Sequence, residues 1–570
     1  MKISINKHIF AYPLFLALLA ACSDHAIPDP MLDSEDGEIT LTLRIPIDSN
    51  VPVTRANPVG GEDGNGREYG LEKENTIYDA NIFFFKASSL NPGNPQAISV
   101  TDVYVPDLSK AQTSGASDKF EKSVTIKIKT SQTSLSADGL LPSSTGDDIS
   151  FIAVLNAGKD LSGEVSDLKA LREMQLSSSH ANDERFVMTT AYDADAAGII
   201  KINGENRKVG SNRLVVNNDP DAYPENTWEG KKWKGEATVQ RLCGRIDLMY
   251  KTGNIADDEL IYTVSESGNK VHITNILPVN VMAKPSYLLT KTTAAIPSAW
   301  TEAGLGTIKW GGVQATDASS IPSNYVIEPT TLTKISTTSV PSDWYGSSSA
   351  ASVKTAITNA ETGKFSTYYS GTLPTPEDAT FGSCDKMTII SYADENILAP
   401  ESFDSHFITG ISFRALFQPG QWCREGNDGY VNEILNDETW NKLADKTFYR
   451  YLPTAGVDAV DDSEAIYFHT KEEAEDYAKK NPADLATITE FKDGVCYYNL
   501  WLRHFNLDNA DPQQDYPMEY AIVRNNIYRV AITFSGPGDP VPTMREPDTM
   551  MSRIFVRKWN QRKENNPLQF

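Results

Sequence analysis

The sequence is poor in the residues from which compact catalytic and metal centres are built. Among its 570 residues are only 5 cysteines and 7 histidines. Cys22, Cys243, Cys384, Cys423 and Cys496 are widely and irregularly spaced, and no Cys-x-x-Cys occurs, which gives no footing to a zinc ribbon or a dithiol redox motif. His8 and His25 lie near the N-terminus. No two of His180, His272, His406, His469 and His504 are close enough in sequence to form a local zinc site. There is no His-Glu-x-x-His, Gly-x-Ser-x-Gly or P-loop, and no Gly-x-Gly-x-x-Gly between a strand and a helix. The acidic run Asp458-Ala459-Val460-Asp461-Asp462 lacks the full spacing of a calcium loop. A glycosidase needs a pair of carboxylates, but with 76 Asp and Glu such pairs are inevitable. We therefore assign no catalytic residue, no metal ligand and no cofactor, and expect a protein that is not an enzyme.

Positive charge and long apolar runs are also scarce. There are 52 Lys and Arg against 76 Asp and Glu, a net charge of -24. An acidic surface of this kind disfavours nucleic acid and anionic lipid as partners. The longest apolar run, Ile9 to Ala21, has 13 residues and is interrupted by Pro13. It is too short to span a bilayer and suits the core of a signal peptide, preceded by Lys2 and Lys7.

Leu19-Ala20-Ala21-Cys22 follows this run, placing a cysteine at a small-residue cleavage site. Cys22 is the expected lipidation site; the alternative is an ordinary secretory signal with an incidental cysteine. Residues 23–37 are polar, acidic and proline-bearing, as in a tether. Ile39, Leu41, Leu43, Ile45 and Ile47 then alternate with polar residues or Pro46. That period of two predicts a strand with one buried face. Burying five aliphatic side chains at about 1.5–3 kcal/mol each gives roughly 7–15 kcal/mol before the entropy of ordering is counted. Residues 49–69 are rich in Gly, Pro and Asn and read as an exposed loop, the kind of place where proteases cut. Arg55-Ala56 lies within it.

Short strand patterns separated by turns continue along the chain: 81–86, 122–129, 149–156, 236–250, 271–276, 387–390, 411–417, 496–502, 520–523, 526–534 and 552–559. Residues 164–175 read as a helix. Thr470-Lys471-Glu472-Glu473 has capping-box spacing and opens another, stopped near Asn481-Pro482. The turn-rich stretch 251–256 is a candidate domain boundary. Residues 300–380, dense in Ser, Thr, Gly and Pro, read as loops and short edge strands. The chain is thus expected to be mostly β, built as sandwiches or barrels with few short helices. Export permits disulfides. Cys243, Cys384, Cys423 and Cys496 allow three pairings, and free buried thiols are at least as good a reading.

Taken together, several segments resemble the fimbrillin superfamily of Bacteroidales, the subunits of long and short fimbriae. They are the lipobox ending at Cys22, the alternating strand before Arg55, Glu68-Tyr69-Gly70 followed by Ile77 to Phe85, and Val154-Leu155-Asn156-Ala157-Gly158. Val239-Gln240-Arg241 through Met249, Arg524 to Val530, and Arg557-Lys558-Trp559 complete the set. The length suits the short-fimbria type. The resemblance implies two β-sandwich domains of transthyretin-like type. It divides the chain into a signal peptide (1–21), a propeptide carrying a plug strand (22–55), an N-terminal domain (56–250), a C-terminal domain (251–545) and a donor-strand segment (546–570). It implies an outer-membrane precursor lipidated at Cys22 and cut after Arg55 by an arginine-specific or trypsin-like protease. The groove left by the plug would accept a strand from another copy or another fimbrial subunit, yielding a cell-surface fimbria that supports adhesion to host or bacterial surface ligands. Ile554, Val556, Trp559, Leu568 and Phe570 are the donor candidates, although Arg557 and Lys558 interrupt their pattern. An anchor or tip subunit is the nearest alternative. A surface glycan-binding lipoprotein or hydrolase is the more distant one, for which 9 Trp and 24 Tyr could supply sugar platforms.

Overall fold

The computed structural model describes residues 38–44, 67–69, 74, 76–86, 98–108, 123–129, 149–176, 185–190, 192–194, 200–202, 213–216, 232–256, 259–264, 267–281, 286–291, 308–310, 313–315, 357–358, 369–370, 384, 386–395, 408–453, 464–483, 486–504, 520–543, 546 and 549–560. Strands dominate them, as the alternation predicts, and the helices are short.

Eight strands form the first sheet, sheet A. They are β1 (Glu38–Arg44), β3 (Ala80–Lys86), β4 (Thr101–Val105), β5 (Ser123–Lys129), β6 (Ile149–Leu155), β8 (Met188–Thr190), β11 (Arg213–Val216) and β12 (Lys232–Arg241). The order is β4-β3-β6-β11-β12-β1-β5, with β8 bridging β12 and β6. β4 and β5 are at opposite edges, yet Val103 on one and Ile126 and Ile128 on the other belong to a single apolar cluster, so the sheet curves round its own core. The opposite face of β3 and β6, carrying Phe83, Phe85, Ile152 and Val154, is covered by Leu161, Val165 and by Leu168 and Leu171 of helix α1 (Leu168–Glu173). This helix is shorter than the 164–175 pattern suggests because Asp167 caps it, accepting from the Ala170 N–H at 2.8 Å.

Sheet B has six strands: β2 (Arg67–Tyr69), β13 (Cys243–Tyr250), β21 (Tyr369–Ser370), β22 (Lys386–Asp394), β30 (Asn526–Phe534) and β31 (Met550–Asn560). Their order is β2-β31-β30-β13-β22-β21. Facing sheet B is a sheet of β14 (Ile255–Ala256), β15 (Glu259–Thr263), β16 (Lys270–Val279), β23 (Gly410–Gln418) and β29 (Val495–Trp501). Ile246, Leu248, Tyr528 and Val530 of sheet B share one cluster with Val271, Phe413, Phe417 and Tyr498 of the facing sheet. This pair of sheets is the sandwich packing expected of alternating strands.

Between β23 and β29 the chain builds an additional layer. It holds the hairpin β24 (Gln421–Gly426) and β25 (Gly429–Ile434), helix α2 (Asp437–Lys442) and helix α3 (Lys471–Lys480). It also holds a sheet of β26 (Phe448–Leu452), β27 (Ile466–Phe468) and β28 (Thr487–Phe491). The expected capping box opens α3: Thr470 accepts from the Glu473 N–H while Glu473 accepts from the Thr470 N–H. Smaller pairings complete the list: β7 (Gln175–Leu176) with β17 (Ser286–Tyr287), β9 (Tyr192–Ala194) with β10 (Ile200–Ile202) and β18 (Thr290–Lys291), and β19 (Ile308–Trp310) with β20 (Val313–Ala315).

Three features differ from the sequence expectations. The strand read across 236–250 is broken at Leu242, where the chain passes from sheet A into sheet B. Residues 520–523 form no extended strand. Tyr528 donates its hydroxyl to the Ala521 carbonyl and accepts from the Val523 N–H, and Asn525 adopts a positive φ of 57°, so the chain folds back before β30. Finally, residues 67–69, read as the end of an exposed loop, form β2. Cys243, Cys384, Cys423 and Cys496 are all buried free thiols, and burial pushes the Cys496 thiol up to about 11.

Candidate strand-exchange site

β1 is not at the margin of sheet A. It runs parallel to β12 on one side and antiparallel to β5 on the other, paired along its whole length with both. Ile39, Leu41 and Leu43 are 0% exposed. Ile39 lies opposite Trp233 of β12 and Ile128 of β5; Leu41 lies opposite Gly235 and Ile126; Leu43 lies opposite Ala237 and Val124. The alternation read from the sequence thus places three consecutive inward residues in the sheet's core. Among the described residues, β5 pairs with no strand except β1.

Of the other residues singled out in the sequence, Ile45 and Ile47 of the plug pattern, Cys22, Arg55 and Ala56, and Leu568 and Phe570 of the tail lie outside the described residues. Ile554, Val556 and Trp559 lie on β31, which pairs antiparallel with β30 from Asn526↔Lys558 to Phe534↔Met550. Ile554 is half-buried and packs against the core of the two facing sheets. Ile554 and Val556 share one strand face; the neighbouring positions on that face are Ser552 and Lys558, and Trp559 falls on the other.

The sequence reading missed a buried charge network that ties the chain just after β2 to sheet B. The Arg245 guanidinium donates to both carboxylate oxygens of Asp247 at 2.9 Å and to Glu74 at 3.2 Å. Tyr392 donates to the same Glu74 carboxylate. Arg529 approaches Asp247 at 3.6 Å, and Arg241 donates to the Glu74 carbonyl at 3.1 Å and to Asn525 at 3.2 Å. All of these charged side chains are essentially fully buried. Burial opposes the charge on Arg245, but Asp247 and Glu74 outweigh it and leave the guanidinium raised. Arg241 has less compensation, and burial pulls it down to about 10. The local signal was the opposite-charge pair Arg245 and Asp247 two residues apart on one strand face, a pattern that by itself reads as solvent-facing.

A second buried pair, Arg524 with Glu395 at 2.8 Å, also holds the Tyr287 and Leu288 carbonyls. Nearby Asp394 is pushed up to about 8 by burial, against the pull of Arg524. No group of His, Cys, Asp and Glu among the described residues is arranged to hold a metal ion.

Residues 489–565 match the family model described as major fimbrial subunit protein type IV, fimbrillin, C-terminal. That span covers β29, β30 and β31. No curated protein sequence matches the chain. Among solved structures it is similar to a candidate cell adhesion protein from Parabacteroides distasonis, at 12% identity and a TM-score of 0.37, covering 93% of this chain and 99% of that one. It is also similar to a fimbrilin from Porphyromonas gingivalis, at 11% identity and a TM-score of 0.33, covering 92% and 99%. The tip fimbrial protein Mfa3 of Porphyromonas gingivalis gives 10% identity and a TM-score of 0.29, covering 92% and 100%. The C-terminal strands β29, β30 and β31 therefore carry the match to the fimbrillin C-terminal model, on a chain that is mostly β.

Proposed function

We propose that the protein is a fimbrial subunit made as an exported lipoprotein and assembled by replacement of β1. Cys22 anchors the precursor in the outer membrane. An arginine-specific or trypsin-like protease cuts between Arg55 and Ala56, and β1 leaves with the propeptide. The vacancy between β12 and β5 is an unpaired pair of edges, which in most proteins is an aggregation hazard. Here it is the receiving site for a strand of another subunit, joined by strand addition. The donor lies in 546–570, and the assembled subunits form a surface fimbria with a structural and adhesive role.

The observation that supports this most is the position of β1. A segment joined to the rest of the chain through Arg55 supplies an inner strand with three fully buried aliphatic side chains. Losing it removes packing and two ladders at once, while the family gives the chain a context of polymerising subunits. A strand inserted this deeply leaves slowly, so fibre integrity rests on a dissociation rate.

The test is limited trypsin treatment of the purified precursor expressed without its lipid. A new N-terminus at Ala56 and a ladder of multimers are expected. Resistance at Arg55, or a cut product that stays monomeric, refutes the proposal.

A further inference from the structure

β25 is a strand whose second edge faces solvent. Among the described residues it pairs only with β24, from Gln421↔Ile434 to Gly426↔Gly429, without a break in register. In an antiparallel ladder every second residue turns its N–H and C=O away from its partner strand, so one row of backbone groups on β25 is left open. Five of its six residues, Gly429 and Val431 to Ile434, are exposed, Val431 at 49% and Ile434 at 81%.

Strand edges are ordinarily protected by a proline, a lysine, a bulge or an inward-facing charge. The sequence Gly-Tyr-Val-Asn-Glu-Ile has no proline and no lysine, and its ladder has no bulge. It presents an apolar residue on each face instead, Val431 on one and Ile434 on the other. Around it the charges cancel. Glu433 binds Arg424 at 2.9 Å, Glu425 binds Lys480, and on the helix that follows Glu438 binds Lys442. Each charged side chain within β24 and β25 thus has an opposite partner. On a chain of net charge -24, such a neutral patch is where two copies can meet without the repulsion that the acidic surface imposes.

The strand also matches itself. Two copies of β25 laid edge to edge and antiparallel about Asn432 set Asn432 opposite the partner's Asn432, Val431 opposite the partner's Glu433, and Ile434 opposite the partner's Tyr430. Each exposed Ile434 then packs on an aromatic ring, a favourable cross-strand pair, and no like charges oppose each other. Centring on Glu433 instead sets two carboxylates face to face, which is destabilising. Centring on Val431 carries Ile434 past the strand to the partner's Asp428.

We propose that β25 is a self-association edge, at which a second copy of the chain adds its own β25 antiparallel across a two-fold axis through Asn432. Such an axis makes the contact isologous and closed. A six-residue ladder buries far less than the roughly 1,200–2,000 Å² of a stable complex, so two free chains hold each other weakly. Resting on the reading above that subunits assemble into a fimbria, the same contact repeated along two filaments gains by avidity and holds them side by side.

The experiment uses the full chain expressed without its lipid. Val431→Cys and Glu433→Cys are purified separately; both positions are exposed, while Cys243, Cys384, Cys423 and Cys496 are buried. On mixing and mild oxidation, a disulfide-linked dimer should form at least fivefold faster than in either variant alone, because only the mixture sets two new thiols directly opposite. Adding Ile434→Glu to both should abolish that excess and leave the thermal midpoint unchanged, as expected at an exposed position. Equal linking in the mixture and in the separate variants, or an excess that survives Ile434→Glu, overturns the proposal. In assembled fimbriae, Ile434→Glu should disperse side-by-side bundles in electron micrographs without shortening the filaments. Wild-type filaments that run singly, or variant filaments that stay bundled, overturn the lateral contact. Failure to form filaments at all refutes the assembly reading alone, because disulfide trapping on the unassembled chain still decides the contact.

Discussion

Replacing Leu41 with alanine should destabilise the N-terminal part of the chain by about 3–5 kcal/mol, in the upper part of the range for large-to-small core substitutions. Leu41 is fully buried. Its neighbour on β12 is Gly235, which has no side chain to move into the space, and its neighbour on β5 is Ile126, itself 1% exposed. The void cannot close cheaply from either side, so the cavity adds to the lost transfer free energy. The effect should also spread in a defined direction. Because β5 has no ladder partner except β1 among the described residues, weakening β1 should expose 123–129 to exchange along with 38–44. Urea unfolding of the unlipidated chain, followed by fluorescence and by amide exchange, measures both. Trp233 lies opposite Ile39 and is 1% exposed, which makes it a local reporter. A shift below about 0.5 kcal/mol, or equal loss of protection in β30, would refute the reasoning, since surface substitutions fall within that margin.

Two further outcomes follow from the buried charges. Arg245→Met leaves Asp247 and Glu74 without their main cation in a dry environment; it should cost about 3–5 kcal/mol by urea denaturation, and a cost under about 1 kcal/mol would contradict the network. His504 is buried with Nδ1 3.0 Å from the Tyr528 hydroxyl, and burial pulls it down to about 3. Its folded value lies below the ordinary 6.5, so its contribution to stability is complete above about pH 6.5 and is lost as pH falls toward 3. A gap of about 3.5 pH units at about 1.36 kcal/mol each sets an upper limit near 5 kcal/mol. The wild type should therefore lose more stability between pH 7 and pH 4 than His504→Gln does; parallel profiles would rule this out.

What could be read from the sequence was what local pattern encodes. β1 and β23 carry apolar residues at every second position where one face meets a core, and β30 reads as a buried run. The cap of α3 was legible because a capping box is complete within four residues. The layer between β23 and β29 was not. β25 is exposed along most of its length, with Val431 49% and Ile434 81% exposed. The layer is held by aromatic contacts between distant segments, such as Tyr430 with Tyr477 and Phe448 with Phe491. β2 was hidden for a related reason: Arg67-Glu68-Tyr69 has no strand signature, and its partner comes from the far end of the chain. Arg245 and Asp247 look like a wet strand face until Glu74, Tyr392 and Arg529 arrive from three other segments to bury them.

The two neighbours of β1 point in opposite directions, because β1 is parallel to one and antiparallel to the other. Any strand entering between them meets one parallel and one antiparallel edge whichever way it points, so the hydrogen-bond ladders alone cannot dictate its polarity. Polarity must be set by side-chain size. One wall of the slot narrows at Trp233 and widens at Gly235 and Ala237, so a reversed strand would bring its residues to the wrong widths. Under the proposed strand exchange the slot is directionless to the backbone and keyed by three residues of β12, which makes Gly235 and Ala237 the positions where enlarging a side chain should change which strands it admits.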